Sequence, residues 1–483
     1  MNYKMMGRFI AQIIAIEAAF MIPALLISVG YSEYVSAMAF LYTLGIMAVL
    51  AGVLFAICRK AGKLFGAREG FVCVGLSWIV MSLLGALPFV FAGQIPNYID
   101  ALFETVSGFT TTGSSVLGDV ESLYRGLLYW RSFTHWVGGM GVLVFLLAII
   151  PGSKGAGFTM HLLRAESPGP DVGKLVPKMR QTAMILYLIY IVMTVINFIF
   201  LLAGRMHWLE ALCTAFGTAG TGGFGVKNDS MASFSPYIQN VTTVFMFLFG
   251  VNFSCYYLLL LRQFKSVFKD EELRLYVGLA LACVIALVFS IRPLYGTLEE
   301  TIRHAAFQVS TIMTTTGYGT TDFDLWPSFA KAILLLLMIV GASAGSTGGG
   351  LKCIRVLLLF KILRRNISQI LNPQKVEVIR SNGKVVDEKV LSNVNAYLAA
   401  YVIIIVVSVL LISLDGFSFE TNMSAVLATF NNIGPGMAAV GPTCNYAAYS
   451  GFSKLVMILC MLAGRLEIFP ILVLFSRSTW TRR

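Results

Sequence analysis

Charged residues are scarce in this chain. Asp, Glu, Lys and Arg make up 12% of its 483 residues, whereas hydrophobic residues make up 57%. Soluble domains usually contain about a quarter charged residues, so the composition excludes a water-soluble protein. Apolar runs such as 185–203 and 398–414 are close to the length of about 20 residues that crosses a bilayer as a helix. We therefore expect an integral membrane protein in contact with lipid.

Histidine and cysteine lack any arrangement typical of a metal or redox site. The four histidines are isolated, and the eight cysteines are scattered without a CxxC pair. Structural zinc sites and thiol redox pairs need such spacings. The sequence therefore predicts neither kind of site, and we expect no covalent cofactor.

Nucleotide-binding motifs are missing in any usable form. The stretch GTGGFG at 220–225 has the glycine spacing of a dinucleotide fingerprint, but it follows an apolar run and not a strand of a βαβ unit. The stretch GSTGGGLK at 345–352 lacks the GK[ST] ending of a phosphate-binding loop. These absences argue against an ATP-driven pump and against an enzyme.

Lysine and arginine are concentrated in a few segments. Most of the 36 lie in 4–8, 59–68, 154–180, 262–274, 352–389 and 477–483. Because loops rich in lysine and arginine stay in the cytoplasm, these segments and both termini are predicted to be cytoplasmic. This topology explains the net charge of +12, so no nucleic-acid partner is expected.

What the chain does contain is one motif in four copies. The copies are ALFETVSGFTTTGSSVLGD (101–119), ALCTAFGTAGTGGFGVKND (211–229), AAFQVSTIMTTTGYGTTDFD (305–324) and AVLATFNNIGPGMAAVG (425–441). Each copy lies between two apolar runs and begins with an amphipathic segment that is too short to cross a bilayer. We therefore predict an all-α polytopic membrane protein. It would contain four tandem helix–pore helix–helix repeats of one orientation, in a pseudo-fourfold arrangement around a single axis.

An additional pair of helices precedes the repeats. The first apolar run, 9–29, is longer than the core of about 7 to 15 residues in a signal peptide. We interpret it as a retained helix paired with the run at 37–58. The predicted units are an N-terminal helix pair at 1–68 and pore repeats at 69–181, 182–270, 271–390 and 391–483.

The loops at the centre of the four copies contain no Asp or Glu. One of them, TTGYG at 315–319, differs by one residue from the TVGYG filter of potassium channels, in which backbone carbonyls replace the hydration shell of the ion. Non-helical backbone at membrane depth is tolerated where it lines a cavity, and glycine permits the positive φ that aligns successive carbonyls. We expect the loops to bind a dehydrated monovalent cation. The predicted filter residues are Thr111, Thr112, Gly113, Thr221, Gly222, Gly223, Thr315, Thr316, Gly317, Asn432, Ile433 and Gly434.

A glycine cluster interrupts the apolar run at 329–371. Each interior glycine destabilises a helix by up to about 1 kcal/mol relative to alanine, so the helix should break there. We predict a movable intramembrane loop that obstructs the pore. The alternative is a small-residue surface for helix packing. The predicted gating residues of this loop are Gly345, Ser346, Thr347, Gly348, Gly349 and Gly350.

Arg465 lies inside the apolar run at 455–475. Intramembrane charges usually face a bundle interior or a water-filled path, so we predict that Arg465 belongs to the gate and presents an electrostatic barrier to cations. The alternative is a structural pair with Glu467.

The four motifs, together with GASAGSTGGGLKCIR (341–355) and AGRLEIFP (463–470), resemble the Trk/Ktr/HKT superfamily of potassium transporters, and specifically its TrkH branch. The N-terminal helix pair is typical of TrkH and not of the shorter KtrB. The resemblance implies potassium uptake across the bacterial inner membrane, potassium bound in the filter, a homodimer, and a cytosolic nucleotide-binding TrkA-like ring as gatekeeper. Glycine at all four filter positions is the family pattern for preference of potassium over sodium. Rubidium and sodium are further candidate ions.

A secondary transporter that couples potassium to protons or sodium is the main alternative. Proton relays need Asp, Glu or His within spanning segments, and the candidates are Glu17, Glu104 and His135. Because they are few, gradient-driven flux is favoured. We interpret Glu104 instead as a buried partner of a nearby Thr or Arg.

A turn sequence in the basic segment 352–389 predicts a cytoplasmic hairpin. The tripeptide Ser381-Asn382-Gly383 lies among valines at 376–390, and Asn-Gly is a strong hairpin signal. Two interpretations stay open: a hairpin that binds a regulatory partner, or a solvated loop attracted to anionic lipid.

Overall fold

The computed structural model describes residues 2–59, 67–139, 141 and 179–480. Most of the basic segment at 154–180 and part of that at 59–68, both predicted to be cytoplasmic, lie outside these residues. Within the described part, six helices are long and apolar enough to span a membrane, or seven if one bent pair is counted as a span. The chain is a multi-pass membrane protein.

The N-terminal pair consists of α1 (Tyr3–Gly30) and α2 (Tyr34–Ile57), which pack against each other. Much of α2 exposes large apolar side chains, among them Leu41 and Val49, as expected of a helix long and apolar enough to span a membrane. The turn between the helices contacts the first repeat, since the Glu33 carboxylate accepts hydrogen bonds from the backbone N–H of Arg125 (2.8 Å) and Gly126 (3.3 Å).

Four segments with a common order of elements follow. The first contains α3 (Ala67–Gly85), α4 (Leu87–Phe91), α5 (Tyr98–Phe109) and α6 (Arg125–Gly139), and the second contains α7 (Met179–Ala203), α8 (Trp208–Gly220), α9 (Pro236–Phe249), α10 (Phe253–Leu260) and α11 (Phe264–Phe268). The third contains α12 (Glu271–Ile291), α13 (Leu298–Met313), α14 (Ser328–Val340) and α15 (Cys353–Leu371), followed by β1 (Arg380–Ser381) and β2 (Lys384–Val385). The fourth contains α16 (Glu388–Ile412), α17 (Phe419–Phe430), α18 (Gly451–Arg465), α19 (Phe469–Phe475) and α20 (Arg477–Trp480).

The helix that follows the short helix is broken in the second, third and fourth segments (α9, α14 and α18). The helix α9 meets α10 at an angle of 89°, α14 and α15 are separated by residues 341–352, and α18 and α19 by Leu466–Ile468. The sequence predicted the break in the third segment, which is confirmed, and missed those in the second and fourth. A side chain at Gly250 would overlap the Tyr276 hydroxyl, and Glu467 and Ile468 have positive φ.

The short helices α5, α8, α13 and α17 are the buried elements of the segments. Each begins with a side-chain cap, and each has an acidic residue in its first turn, where negative charge opposes the helix dipole. Their caps are Asn97, His207, Thr297 and Ser418. Their final turns are buried, so the carboxyl ends of all four helices lie in the protein interior.

The predicted hairpin is confirmed. Strands β1 and β2 pair antiparallel, with Arg380 opposite Val385 and Ser381 opposite Lys384. The turn residues Asn382 and Gly383 have φ of +52° and +78°, as a type I′ turn requires.

Candidate functional site

The four loops that follow the short helices share one backbone conformation. We call them loops 1 to 4, at 110–114, 221–225, 314–319 and 431–435. Each has a left-handed residue followed two positions later by a glycine with positive φ; the pairs are Thr111 (+55°) and Gly113 (+83°), Thr221 (+53°) and Gly223 (+71°), Thr315 (+57°) and Gly317 (+90°), and Asn432 (+56°) and Gly434 (+103°). A non-glycine residue in this region costs about 1 to 3 kcal/mol and persists where the surrounding structure imposes it.

The same hydrogen bond closes all four short helices. An N–H donates to the carbonyl five residues earlier, at 2.8 Å in each case: Thr112 to Ser107, Gly222 to Gly217, Thr316 to Thr311, and Ile433 to Ala428. With a left-handed residue just before the donor, this bond is typical of a Schellman helix end. Each loop therefore leaves its helix in the same direction, despite different side chains.

The loops meet in a closed ring. A Cβ atom placed on the glycine of one loop would come closer than 3.0 Å to a carbonyl oxygen of the next loop. The four glycine and oxygen pairs are Gly113 with Gly222, Gly223 with Thr316, Gly317 with Ile433, and Gly434 with Thr112. The order runs from loop 1 through loop 4 and back to loop 1, so the twelve residues predicted as a filter are brought together around one centre.

Side chains pin loop 4 to loop 1. The Asn432 amide donates to the Thr112 hydroxyl (2.9 Å) and to the Met461 carbonyl (3.0 Å). The hydroxyls of Ser114 (3.0 Å) and Tyr446 (2.8 Å) both donate to the Gly434 carbonyl. Loop 4 has Asn432 where loops 1 and 3 have a threonine, and this asparagine supplies the contact with loop 1.

A buried ion pair joins loop 1 to loop 2. Sequence reasoning considered its glutamate but did not identify its arginine. The Arg131 guanidinium donates to Glu104 (2.7 Å) and to the Gly225 carbonyl (3.0 Å) and lies 3.6 Å from the centre of the Phe224 ring. Glu104 also accepts from the Val116 N–H (2.9 Å). Glu104 was interpreted as a buried partner of a nearby Thr or Arg, and the partner in the structure is Arg131. A charge within the otherwise uncharged stretch 126–139 was the available signal for Arg131.

His135 lies behind the same two loops. One ring nitrogen is 2.8 Å from the Gly108 carbonyl oxygen, and the other accepts a hydrogen bond from the Phe224 N–H (3.2 Å). These partners require a neutral ring that is protonated on Nδ1, because Nε2 must accept. His135 therefore positions loop 2 and has no nitrogen left for a proton relay.

An open cavity of about 110 Å³ lies against the ring. Its lining includes Gly113, Gly317 and Gly434, the pair partner Arg131, and the exposed Cys444. A cavity needs about 10 to 15 Å³ of accessible volume to hold one water molecule, so this one holds several. The cavity therefore gives water access to the ring.

A negative charge stands near this cavity. The Asn228 side chain, which lines it, donates to the carboxylate of Asp119 (2.8 Å). This hydrogen bond is the main cause that lowers the pKa of Asp119. Asp119 is therefore anionic at neutral pH.

Residues 341–352, which we call the intramembrane segment, lie directly against the ring. The Gly349 N–H donates to the hydroxyl of Thr315 (2.6 Å), a predicted filter residue. A side chain at Gly348 would come within 2.8 Å of the Thr314 carbonyl oxygen, and one at Gly349 would overlap that of Asn431. The glycine cluster thus permits contact with loops 3 and 4. The predicted gating residues Gly345 to Gly350 all belong to this segment.

Arg465 joins the intramembrane segment to the end of α6. Its guanidinium donates to the carbonyls of Thr347 (2.8 Å), Gly139 (2.6 Å) and Gly138. Glu467, the alternative partner considered for Arg465, forms an ion pair with Arg355 on α15. Sequence reasoning missed Lys352, a buried residue whose ammonium group donates to the Gly348 carbonyl.

The chemistry available at the ring is that of neutral oxygen atoms. Among residues 2–59, 67–139, 141 and 179–480, no group of three or more His, Cys, Asp or Glu side chains is arranged to hold a metal ion. The ring instead combines backbone carbonyls with the threonine hydroxyls of loops 1 and 3, which pair as Thr110 with Thr112 and Thr314 with Thr316, both at 2.8 Å.

Known proteins are similar to this chain over their whole length. The crystal structure of the potassium transporter TrkH from Vibrio parahaemolyticus superimposes with a TM-score of 0.87 and 29% identity, covering 100% of both chains. The Trk system potassium uptake protein TrkH from Salmonella typhimurium is 35% identical over 99% of this chain and 100% of its own length. The TrkH protein from Halomonas elongata is 32% identical over 100% of both. The family model TrkH, described as a cation transport protein, matches residues 36–481. The chain belongs to the TrkH family of cation transport proteins.

Proposed function

We propose that this chain takes up potassium across the bacterial inner membrane through the ring formed by loops 1 to 4. The closed ring of alternating backbone conformation is the observation that carries the proposal. The names of the relatives, Trk system potassium uptake proteins, support the choice of ion. As a member of a transport family, the chain is not an enzyme.

The proposed filter works by replacing water with carbonyl oxygens. Residues with positive and negative φ alternate along each loop, which directs successive carbonyls to one side, and four loops together surround a dehydrated cation. The ends of α5, α8, α13 and α17 add about half a negative charge each. Because the loops carry no acidic side chain, we infer a preference for monovalent cations, with potassium first and rubidium and sodium as further candidates.

The proposed gate is the intramembrane segment together with Arg465. The contacts of Gly349 with Thr315 and of Arg465 with Thr347 support a position in which the segment obstructs the path behind the ring. The positive charge of Arg465 adds an electrostatic barrier. The regulator that we propose is a cytosolic, nucleotide-binding TrkA-like ring, acting on a homodimer with cytoplasmic termini.

Coupled transport is the less favoured function. Glu104 is committed to Arg131, and both nitrogens of His135 have hydrogen-bond partners. Of the three relay candidates, only Glu17 is buried with both carboxyl oxygens unpaired within the described part of the chain. A single carboxyl does not make a relay, so we favour flux driven by the ion gradient.

Cys444 offers a direct test of where ions enter. It is exposed and lines the cavity against the ring, whereas the other seven cysteines are buried. A membrane-impermeant, positively charged methanethiosulfonate reagent added outside should attach there and lower potassium uptake severalfold, because it places a cation in the mouth. Cys444→Ser is the matched control and should transport normally with and without the reagent. Undiminished uptake after complete labelling of Cys444 would place the entrance elsewhere.

Arg465 provides a second test, aimed at the barrier. We expect Arg465→Ala to raise potassium flux in proteoliposomes by about tenfold, which corresponds to removing about 1.4 kcal/mol of repulsion. Arg465→Lys keeps the charge and should stay closer to the original flux. If the alanine and lysine variants change flux equally, the hydrogen bonds of Arg465 matter and its charge does not.

A further inference from the structure

A single carboxylate binds the backbone on both sides of the predicted gating residues 345–350. Glu272, on the first turn of α12, is 5% exposed. Its Oε1 accepts hydrogen bonds from the N–H of Ala344 (2.7 Å) and from the N–H of Ile354 (3.1 Å). Ala344 precedes the glycine cluster and Ile354 follows it, so Glu272 closes the segment into a loop from one side.

The start of α12 also contacts the cytoplasmic hairpin. Asn382, at the tip of the hairpin, donates to the Asp270 carboxylate (2.7 Å) and accepts from the Glu271 N–H (2.9 Å). Lys361 of α15 donates to Glu271 and to the Arg380 carbonyl on β1. Asp270 and Glu271 therefore bind the hairpin, while the next residue binds the intramembrane segment.

We infer that the start of α12, from its cap Asp270 to Glu272, mechanically links the hairpin to the gate, with Glu272 as the residue that positions the closed segment. The inference rests on the proposed function of residues 345–350 as a gate. Three consecutive residues at the start of a helix move as a unit, because Asp270 also caps that helix through the Leu273 N–H (2.8 Å). A force on the hairpin tip therefore displaces Glu272 from two backbone donors at once.

Release of Glu272 has a defined physical consequence. The N–H groups of Ala344 and Ile354 would lose their acceptor in a buried place, where an unpaired donor is unfavourable. The glycine-rich backbone between them offers little resistance to rearrangement. The segment is then expected to leave its position against loops 3 and 4, and the path behind the ring opens.

The first experiment removes the carboxylate. Purified Glu272→Ala in proteoliposomes, without any other protein, should conduct potassium several times faster than the unmodified chain. The ratio of potassium to sodium flux should be unchanged, because Glu272 contacts the gate and not the filter loops. Glu272→Gln keeps an oxygen acceptor and should give an intermediate flux. A residue with a merely structural role would lower flux and thermal stability together; that result overturns the inference.

The second experiment tests the link with the hairpin. Asn382→Gly removes the side chain that contacts α12 while a glycine keeps the positive φ of the turn. We expect it to raise flux in the unmodified background but to add nothing in Glu272→Ala. Lys384→Ala, which alters an exposed side chain of the same hairpin, is the control and should change neither. No effect of Asn382→Gly on the unmodified chain, or additive effects in the double variant, would overturn the link. This variant also decides the question if Glu272→Ala does not fold.

Deletion of residues 344–349 separates failure of the link from failure of the gate. If this deletion raises flux but Glu272→Ala and Asn382→Gly do not, the gate stands and the link is wrong. If the deletion folds and leaves flux unchanged, the proposed gate itself is wrong.

Discussion

Gly223→Ala is expected to abolish selective potassium flux. Gly223 has φ of +71°, and a Cβ atom there would overlap the Thr316 carbonyl oxygen of the next loop. Backbone cannot yield as a flexible side chain does, so loops 2 and 3 must separate and carbonyls of the ring must move. We expect at least a tenfold fall in the ratio of potassium to sodium flux, equivalent to about 1.4 kcal/mol of lost discrimination. Ion flux into proteoliposomes measures both ions.

Gly93→Ala is the matched control for this substitution. Gly93 has the same φ of +71°, but no atom lies within 4 Å of a Cβ atom added there. Both variants suffer the left-handed strain of about 1 to 2 kcal/mol, and Gly223→Ala alone suffers the clash. Equal effects of the two substitutions on selectivity would show that strain, and not ring geometry, controls selectivity.

Gly317→Ser extends the comparison to another quarter of the ring. Its Cβ atom would overlap the Ile433 carbonyl oxygen. At Gly434 the added atom would be 2.9 Å from the Thr112 carbonyl oxygen, which is the widest of the four separations. We therefore expect Gly434→Ser to retain more potassium preference than Gly317→Ser.

Deletion of residues 344–349 is the change with the largest expected gain of flux. It removes most of the predicted gating residues, along with the contacts of Gly349 with Thr315 and of Arg465 with Thr347. With the obstruction gone, potassium flux should rise by about tenfold or more, which corresponds to a barrier of at least about 1.4 kcal/mol. The measurement is potassium flux in proteoliposomes, normalised to the amount of folded protein recovered.

Two observations on the deletion variant would identify the path of the added flux. Labelling of Cys444 at the outer mouth should still lower it, because the ions would use the same entrance. The ratio of potassium to sodium flux should fall only modestly, since Thr315 loses one partner but keeps its place in loop 3. If labelling of Cys444 leaves the added flux unchanged, the ions leak around a damaged protein, and this result would contradict the gate.

The sequence predicted the membrane-spanning helices, the short helices and the loops between them. The length of each apolar run distinguished spanning helices from short ones. The recurrence of one motif was enough to locate the four loops. The breaks at Gly250 and at Leu466–Ile468 were not predicted, because a single glycine is compatible with a continuous helix. The close approach of Tyr276 to Gly250 and the ion pair of Glu467 with Arg355 are contacts between distant parts of the chain.

The sequence predicted which residues form the candidate site but not which residues they contact. The glycines of the filter were identifiable because carbonyl alignment needs positive φ, which glycine permits. The threonines were identifiable because the stretch at 315–319 is similar to the TVGYG filter of potassium channels. The cross-loop contacts of Arg131 with Gly225 and of Asn432 with Thr112 join residues of different repeats. No spacing within one repeat specifies which of its polar side chains reaches its neighbour.

By itself, the sequence determined that the chain crosses a bilayer several times and that it repeats one uncharged, glycine-containing loop. The length of an apolar run and the backbone freedom of a loop are both set by residues that are close in sequence, so the sequence alone shows them. The order of the loops around the ring, the position of the intramembrane segment against loops 3 and 4, and the reach of Glu272 to Ala344 and Ile354 were decided by tertiary structure. These contacts depend on how separate helices pack, because a hydrogen bond between distant segments forms only where packing brings donor and acceptor within about 3 Å.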